Sequence, residues 1–370
     1  MGSAAAYHLA SRGKRVLGLE QFSPAHDKGS SHGESRIIRQ AYYEDPAYVP
    51  LVLRAYELWE KLEHDSKNDL LRITGGLMIG PPDSAIVQGT IASARAHNLA
   101  YEVLDSCELR RRYPVFHPRR DDAAVYELRA GFLRPEACVS AHLAQAACHG
   151  ADLRFEECVQ EWSAISSHDG VRVITTSGTY EADRLVVAAG AWAPGLLAEL
   201  NIPFDVRRHV MCWFHPVGNT ESFLPERFPV YLWEVDSHDV FYGFPITGKI
   251  TEGVKAAVHT GGDRCTPVTV ERQVSNSDVE ELRSLFRRFI PSLDGPVSAA
   301  ATCMYTLTPD EHFVVSLHPK HPQVAIAAGF SGHGFKFTSV MGEILADLAT
   351  TGSTRYPIAL FSPGRFSTNH

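Results

Sequence analysis

The sequence predicts a mixed α/β fold: a Rossmann-like nucleotide-binding domain, discontinuous along the chain, with a second domain built on a mixed β-sheet. Three observations predict it. At the start, Ser3 to Arg12 is a run of small residues suited to a closely packed helix. Gly13 is its C-cap, and Arg15–Glu20 reads as a strand ending in an acid. Helix, strand and terminal carboxylate form the back half of a dinucleotide-binding unit. Gly2 stands as the third glycine of Gly-x-Gly-x-x-Gly, and Glu20 can accept hydrogen bonds from ribose hydroxyls. Near the end, an apolar strand at Val324–Ala328 runs into a turn with Gly329, Gly332 and Gly334, then a helix-like stretch from Thr338 to Ala349. Bare backbone amides at such a turn suit an anionic or polarised ligand, and Lys336 adds a fixed positive charge within the first helical turn. Between these ends, Tyr231–Val235 and Val240–Pro245 alternate like strands of a mixed sheet. Val279, Leu282, Leu285, Phe286 and Ile290 fall at the spacing of a core-facing helix.

Two further pieces belong to the nucleotide domain. Arg184–Ala193 is a buried parallel strand entering a small-residue turn at Gly190, although generic α/β chains carry such a strand too. Glu157–Trp162, containing Val159, is strand-like. The expected division assigns residues 1–75, 135–200 and 300–370 to the nucleotide domain, and 76–134 and 201–299 to the substrate domain.

Composition narrows the function. The chain has 370 residues, 44% hydrophobic and 21% charged, which is ordinary for a globular protein. A net charge of -8 gives no basic footprint for nucleic acid. No apolar run is long enough to span a membrane, no basic n-region of a signal peptide precedes Gly2, and Ser367–His370 is not a peroxisomal address. Seven cysteines without paired spacing argue against a disulfide framework and for a reducing, cytoplasmic location. The 18 histidines show no helical His-x3-His pair, and there is no Cys-x2-Cys, so no metal site is expected.

Three long motifs, in order, carry more specific information. They are Ser31-His32-Gly33-Glu34-Ser35-Arg36-Ile37-Ile38-Arg39-Gln40-Ala41-Tyr42, Cys303-Met304-Tyr305-Thr306-Leu307-Thr308-Pro309-Asp310-Glu311-His312-Phe313, and Gly329-Phe330-Ser331-Gly332-His333-Gly334-Phe335-Lys336. At these segments, and from residue 2 to about 366, the chain resembles the monomeric sarcosine oxidases, together with N-methyltryptophan, pipecolate and fructosyl amino acid oxidases. The resemblance implies FAD as cofactor, bound covalently through Cys303 to the flavin 8α-methyl. Gly332, Gly334 and Lys336 would lie at the flavin's pyrimidine edge, Arg36 beside the ring with His32 nearby, and Val159 by the adenine. It implies a carboxylate-binding pair, Arg39 and Lys336, chemically apt because a guanidinium takes a carboxylate bidentately and an ammonium adds a point charge. Arg39, flanked by Ile37 and Ile38, reads as buried and so in need of an anionic partner.

Alternation in Gly253–His259 puts Lys255, Ala257 and His259 on one strand face. The resemblance gives Lys255 the oxygen half-reaction, where an ammonium stabilises developing superoxide, and gives His259 contact with the substrate near its amine. Tyr242 and Tyr305 are expected to line the substrate pocket. The implied partners are a small secondary amino acid and oxygen, and the implied state is a monomer. N-Methyl amino acids lead as substrates. Phe204, Trp213, Phe214 and Trp233, within or beside the pocket-roof stretch of roughly residues 205–250, hint at a bulkier secondary amine such as pipecolate, proline or a glycated amino acid. A non-catalytic flavoprotein is the reading from another class. It draws on the absence, ahead of Gly2, of the first Rossmann strand and first two glycines, and the expectation is that this chain is a shortened form that binds FAD weakly.

Overall fold

The computed structural model describes residues 1–166, 169–236, 239–248 and 252–366. Ser367–His370, read above for a targeting address, lies outside them, as do residues 237–238 and 249–250 of the expected pocket roof.

The small-residue helix runs Gly2–Ser11 and packs between the helices Pro135–Cys148 and Thr338–Thr351. The approach is close: a Cβ at Gly342 would stand 2.5 Å from Ala4. Gly13, at φ +73°, ends the helix in the left-handed conformation that glycine tolerates. The strand Leu17–Leu19 pairs in parallel with Asp152–Arg154, and Leu185–Val187 pairs in parallel with Val324–Ala328. The last is buried throughout, which is why it reads as an unbroken apolar run rather than an alternating one.

The second layer is a nine-stranded mixed sheet. Its strands run in the order Asp263–Arg264, Asp205–Phe214, Val254–Val258, Val240–Gly243, Val230–Glu234, Gly76–Gly80, Ala123–Glu127 and Glu102–Asp105, with Val297–Leu307 also pairing to Asp205–Phe214. Helix Asn276–Phe289, held at its start by a capping box between Ser275 and Asp278, covers one face with Leu282, Leu285, Phe286 and Phe289.

Register decides which side chains face the site. Opposed residues share a face, so Trp213 pairs with Lys255, Tyr242 with Ala257, and His209 with Cys303. That face carries Met211, Trp213, Tyr242, Cys303 and Tyr305 in one cluster. The intervening residues point to the helix. Phe214 meets Phe286 at 4.9 Å between ring centroids, and Trp233 meets Phe289 at 4.8 Å. The expectation that Phe214 and Trp233 bulk out the pocket therefore fails: both fill the core behind the sheet. Trp213 does face forward, and Phe204 packs by the Gly329 turn.

Candidate functional site

A cleft of about 1700 Å³ runs from the Gly2–Ser11 helix to the glycine turn. Its lining includes Gly2, Glu20, Arg36, Val159, Gly190, Tyr305, Gly332 and Gly334. Glu20 follows the strand Leu17–Leu19, and its carboxylate accepts from the Phe22 amide at 3.0 Å. The turn is shaped for close approach. Gly329, Ser331 and Gly332 all take positive φ, and a Cβ on Gly332 would stand 2.4 Å from the Tyr305 ring. Two buried polar atoms near this end, His32 Nε2 and Ser35 Oγ, have no hydrogen-bond partner within the protein. An extended groove, a glycine cradle and unpaired polar atoms fit a dinucleotide cofactor of the FAD type. Cys303 and Lys336 are buried and do not line this cleft themselves, but Cys303 Sγ is 3.8 Å from Arg36 of the lining, and Gly334 and Phe335 of the lining lead into Lys336.

The loop before the strand Arg36–Ile38 joins cleft to sheet. Its Gly33 and Glu34 amides donate to the Glu136 carboxylate. Lys255 Nζ donates to the carbonyls of Gly33 and Ser35, both at 2.6 Å, and lies 4.3 Å from the centre of the Phe244 ring. Burial first, then the Arg36 charge, pushes the Lys255 pKa well below its ordinary value, with Glu136 and Glu34 opposing. Arg36 donates to Ser30 O at 3.0 Å and Ser35 O at 2.8 Å, and its Nη2 is 3.8 Å from Cys303 Sγ. His32 is held to about 4 by burial and by Arg36, so it is neutral at physiological pH.

The expected carboxylate pair, Arg39 and Lys336, is buried on either side of Tyr42, but with company. Arg39 Nη2 donates to Glu44 Oε2 at 2.6 Å, and its guanidinium stacks over Tyr42 and Tyr43. Lys336 Nζ donates to His333 O at 2.7 Å and reaches Tyr42 Oη at 3.4 Å. Glu44 is thus the anionic partner that a buried Arg39 demanded. Burial works against its carboxylate, yet Arg39, His333 and Lys336 keep its pKa below the usual value. Lys336 is not the fixed charge expected from its sequence position. It sits in a buried 3-10 turn ahead of the helix, and burial, aided by Arg39 and opposed by Glu44, lowers its pKa to about 7.

His259, just past the strand Val254–Val258, stands edge-on to Tyr305 at 5.7 Å and Tyr242 at 6.1 Å; the two tyrosine hydroxyls are 3.4 Å apart. Burial and nearby His333 lower His259 to about 4, leaving a neutral imidazole. Sequence reasoning missed two members of this group. Glu44 was signalled only by being the first acid after Arg39. His209 stacks on Tyr305 at 3.8 Å, and only the strand register reveals it.

In sequence and in fold the chain is similar to known proteins. Residues 1–348 match the family model of the FAD dependent oxidoreductases, and the chain belongs to that family. Among its relatives, the monomeric sarcosine oxidase of Streptomyces avermitilis is 50% identical over 99% of this chain and 95% of that protein. The monomeric sarcosine oxidase of Bacillus sp. strain B-0618 is 40% identical over 99% of this chain and 93% of that protein. The N-methyl-L-tryptophan oxidase of Yersinia pestis is 34% identical over 99% and 96%. Among solved structures, NikD, an unusual amino acid oxidase essential for nikkomycin biosynthesis, superposes with a TM-score of 0.83 at 26% identity, covering 98% of this chain and 94% of that one. The chain is therefore an FAD-dependent oxidoreductase with the fold of the amino acid oxidases.

Proposed function

We propose that this protein oxidises secondary α-amino acids of the N-methyl type, with sarcosine the simplest, to an imine that hydrolyses to aldehyde and amino acid, while oxygen becomes hydrogen peroxide. The observation that carries the reading is the convergence of two buried cations, Arg39 and Lys336, beside the aromatic wall of Tyr242, Tyr305 and His259. Buried cations need an anion; Glu44 fills that place within the chain, and a substrate carboxylate is suited to take it over. FAD, when bound, supplies the two-electron acceptor and the route to oxygen. The protein's part is to position. Arg39 and Lys336 hold the carboxylate, neutral His259 accepts a hydrogen bond from the amine, and Tyr242 and Tyr305 shape the space between. Lys255, fixed by two backbone carbonyls, places a positive charge where oxygen acquires electrons.

Cys303, with Arg36 at 3.8 Å, is proposed as the covalent tether for FAD. Acid precipitation should leave the yellow colour with the protein, and Cys303→Ser should release it to the supernatant; equal release from both removes the tether. The enzyme is proposed to act as a cytoplasmic monomer; no helix among the described residues is long and apolar enough to cross a membrane. Peroxide release across sarcosine, N-methyl amino acids, proline, pipecolate and a glycated amino acid tests the substrate class. A preference for sarcosine and small N-methyl amino acids supports the proposal, a preference for the ring or glycated amines moves it to the bulkier class, and no peroxide from any of them overturns it.

A further inference from the structure

A second cluster lies next to the cofactor cleft: its three members do not line it, while Trp162, which packs against two of them, does. The strand Val314–Leu317 ends at His318, and a tight turn returns the chain to Val324 through His321. The turn is closed by amide bonds from His321 to His318 O and from Val324 to His321 O. It holds the two imidazoles face to face, 4.9 Å apart and inclined by 29°. Glu199, on the neighbouring 3-10 turn Ala198–Leu200, reaches the same point. Its Oε1 is 3.1 Å from His318 Nε2 and 3.9 Å from His321 Nε2, and the three donor atoms all lie within 4.8 Å of one another.

We propose that Glu199, His318 and His321 bind a divalent transition-metal ion of the zinc class. The first reason is His318 itself. Its ring is fully buried, and Nε2 has no hydrogen-bond partner. Glu199 Oε1, 3.1 Å away, stands at a spacing that two ligands of a single metal ion can share. An unsatisfied buried nitrogen is costly to a fold unless something else completes it. The second reason is orientation. The Trp162 ring stands edge-on to both imidazoles, at 5.5 and 5.6 Å, and its own N–H is already given to Leu196 O. Trp162 therefore fixes the rings without competing for the ion. Two imidazoles and one carboxylate suit zinc, cobalt or nickel rather than magnesium or calcium, whose ligands are all oxygen. Glu199 and His321 are partly exposed, so ion and water can enter. Coordination through Nε2 moves the His318 ring proton to Nδ1 and costs the 3.3 Å contact that Nδ1 accepts from the Lys320 amide; Lys320 is exposed, so water replaces it. The metal would tie the Val314–Ala328 hairpin to the segment leading into the long strand Asp205–Phe214. His318 and His321 are separated by two residues in a turn, a spacing that a search for helical His-x3-His pairs passes over.

The test uses the flavin-loaded protein, stripped with a chelator and then titrated with zinc by calorimetry and with cobalt by visible absorbance. Wild type should take up one equivalent, with the intense bands of low-symmetry cobalt. Glu199→Gln and His321→Asn should each bind at least roughly a hundredfold more weakly, since even outer-sphere changes at metal sites cost 10–100-fold. Unchanged flavin spectra in both variants show that the fold is intact. Absence of saturable binding overturns the proposal and leaves the cluster an ion pair. Equal binding by wild type and both variants overturns it as well, and places the metal elsewhere on the protein.

Discussion

Lys255 and Lys336 are both buried lysines of the proposed site, and they are held in opposite ways. Lys255 rests on two main-chain carbonyls, those of Gly33 and Ser35, which neither titrate nor leave. Lys336 has one main-chain carbonyl and otherwise faces side chains, Tyr42, Arg39 and Glu44. Burial depresses both pKa values, Lys336 to about 7 and Lys255 well below its ordinary value. On the proposed function, the difference teaches a division of labour. A group whose task does not depend on which substrate arrives is fastened to the backbone. A group that must exchange partners is fastened to side chains that can move.

The largest effect expected from breaking this contrast is at Lys255. Lys255→Met should slow reoxidation of the reduced enzyme by roughly 10²–10³-fold, the usual cost of losing one preorganised charge. Anaerobic reduction by substrate should change little; stopped-flow traces showing the reverse pattern move Lys255 to the substrate side. Next come Lys336→Met and Arg39→Ala, each removing one charge-assisted contact. Affinity for a simple carboxylate inhibitor should fall by about 1.5–3 kcal/mol, or roughly 10–150-fold, in equilibrium titrations; unchanged affinity in both refutes the carboxylate site. A pH series sharpens the comparison further. Carboxylate binding raises the Lys336 pKa above its free value of about 7. The bonus is full below the free pKa and is lost as pH rises through the bound one. Wild-type affinity should therefore decline above about pH 7, while Lys336→Met stays flat over that range. The smallest effect belongs to Glu44→Gln. An amide holds Arg39 less firmly than a carboxylate, by about 1 kcal/mol, so inhibitor affinity should rise roughly fivefold. A fall instead would mean that Glu44 orients Arg39 for the substrate.

Much of the site was readable where the chain has a period. Two-residue alternation was enough to put Cys303 with Tyr305 on one face of their strand. The glycine turn announced itself because positive φ and close ring contact leave few other residues possible. Reading failed where facing depends on neighbours. Phe214 and Trp233 lie in strands buried on both faces, so composition could not say which side was the pocket. The Arg39–Glu44 pair spans Gln40 to Tyr43, an irregular stretch with no period to extrapolate. Lys336 was visible as a cation, but its near-neutral pKa is a property of the tertiary burial around it.

The pairing of Arg39 with Glu44 has a consequence for selectivity. Glu44 is tethered five residues away, so at the guanidinium it behaves as a carboxylate at an effective concentration of millimolar order or more. A metabolite that offers only a carboxylate must outcompete that tethered rival and, at ordinary cellular levels, fails. A ligand that also brings an amine to His259 and an N-substituent to the tyrosine wall gains contacts Glu44 cannot match. If Arg39 binds the substrate as proposed, the internal acid is a threshold, and recognition depends on the whole amino acid rather than on its charge.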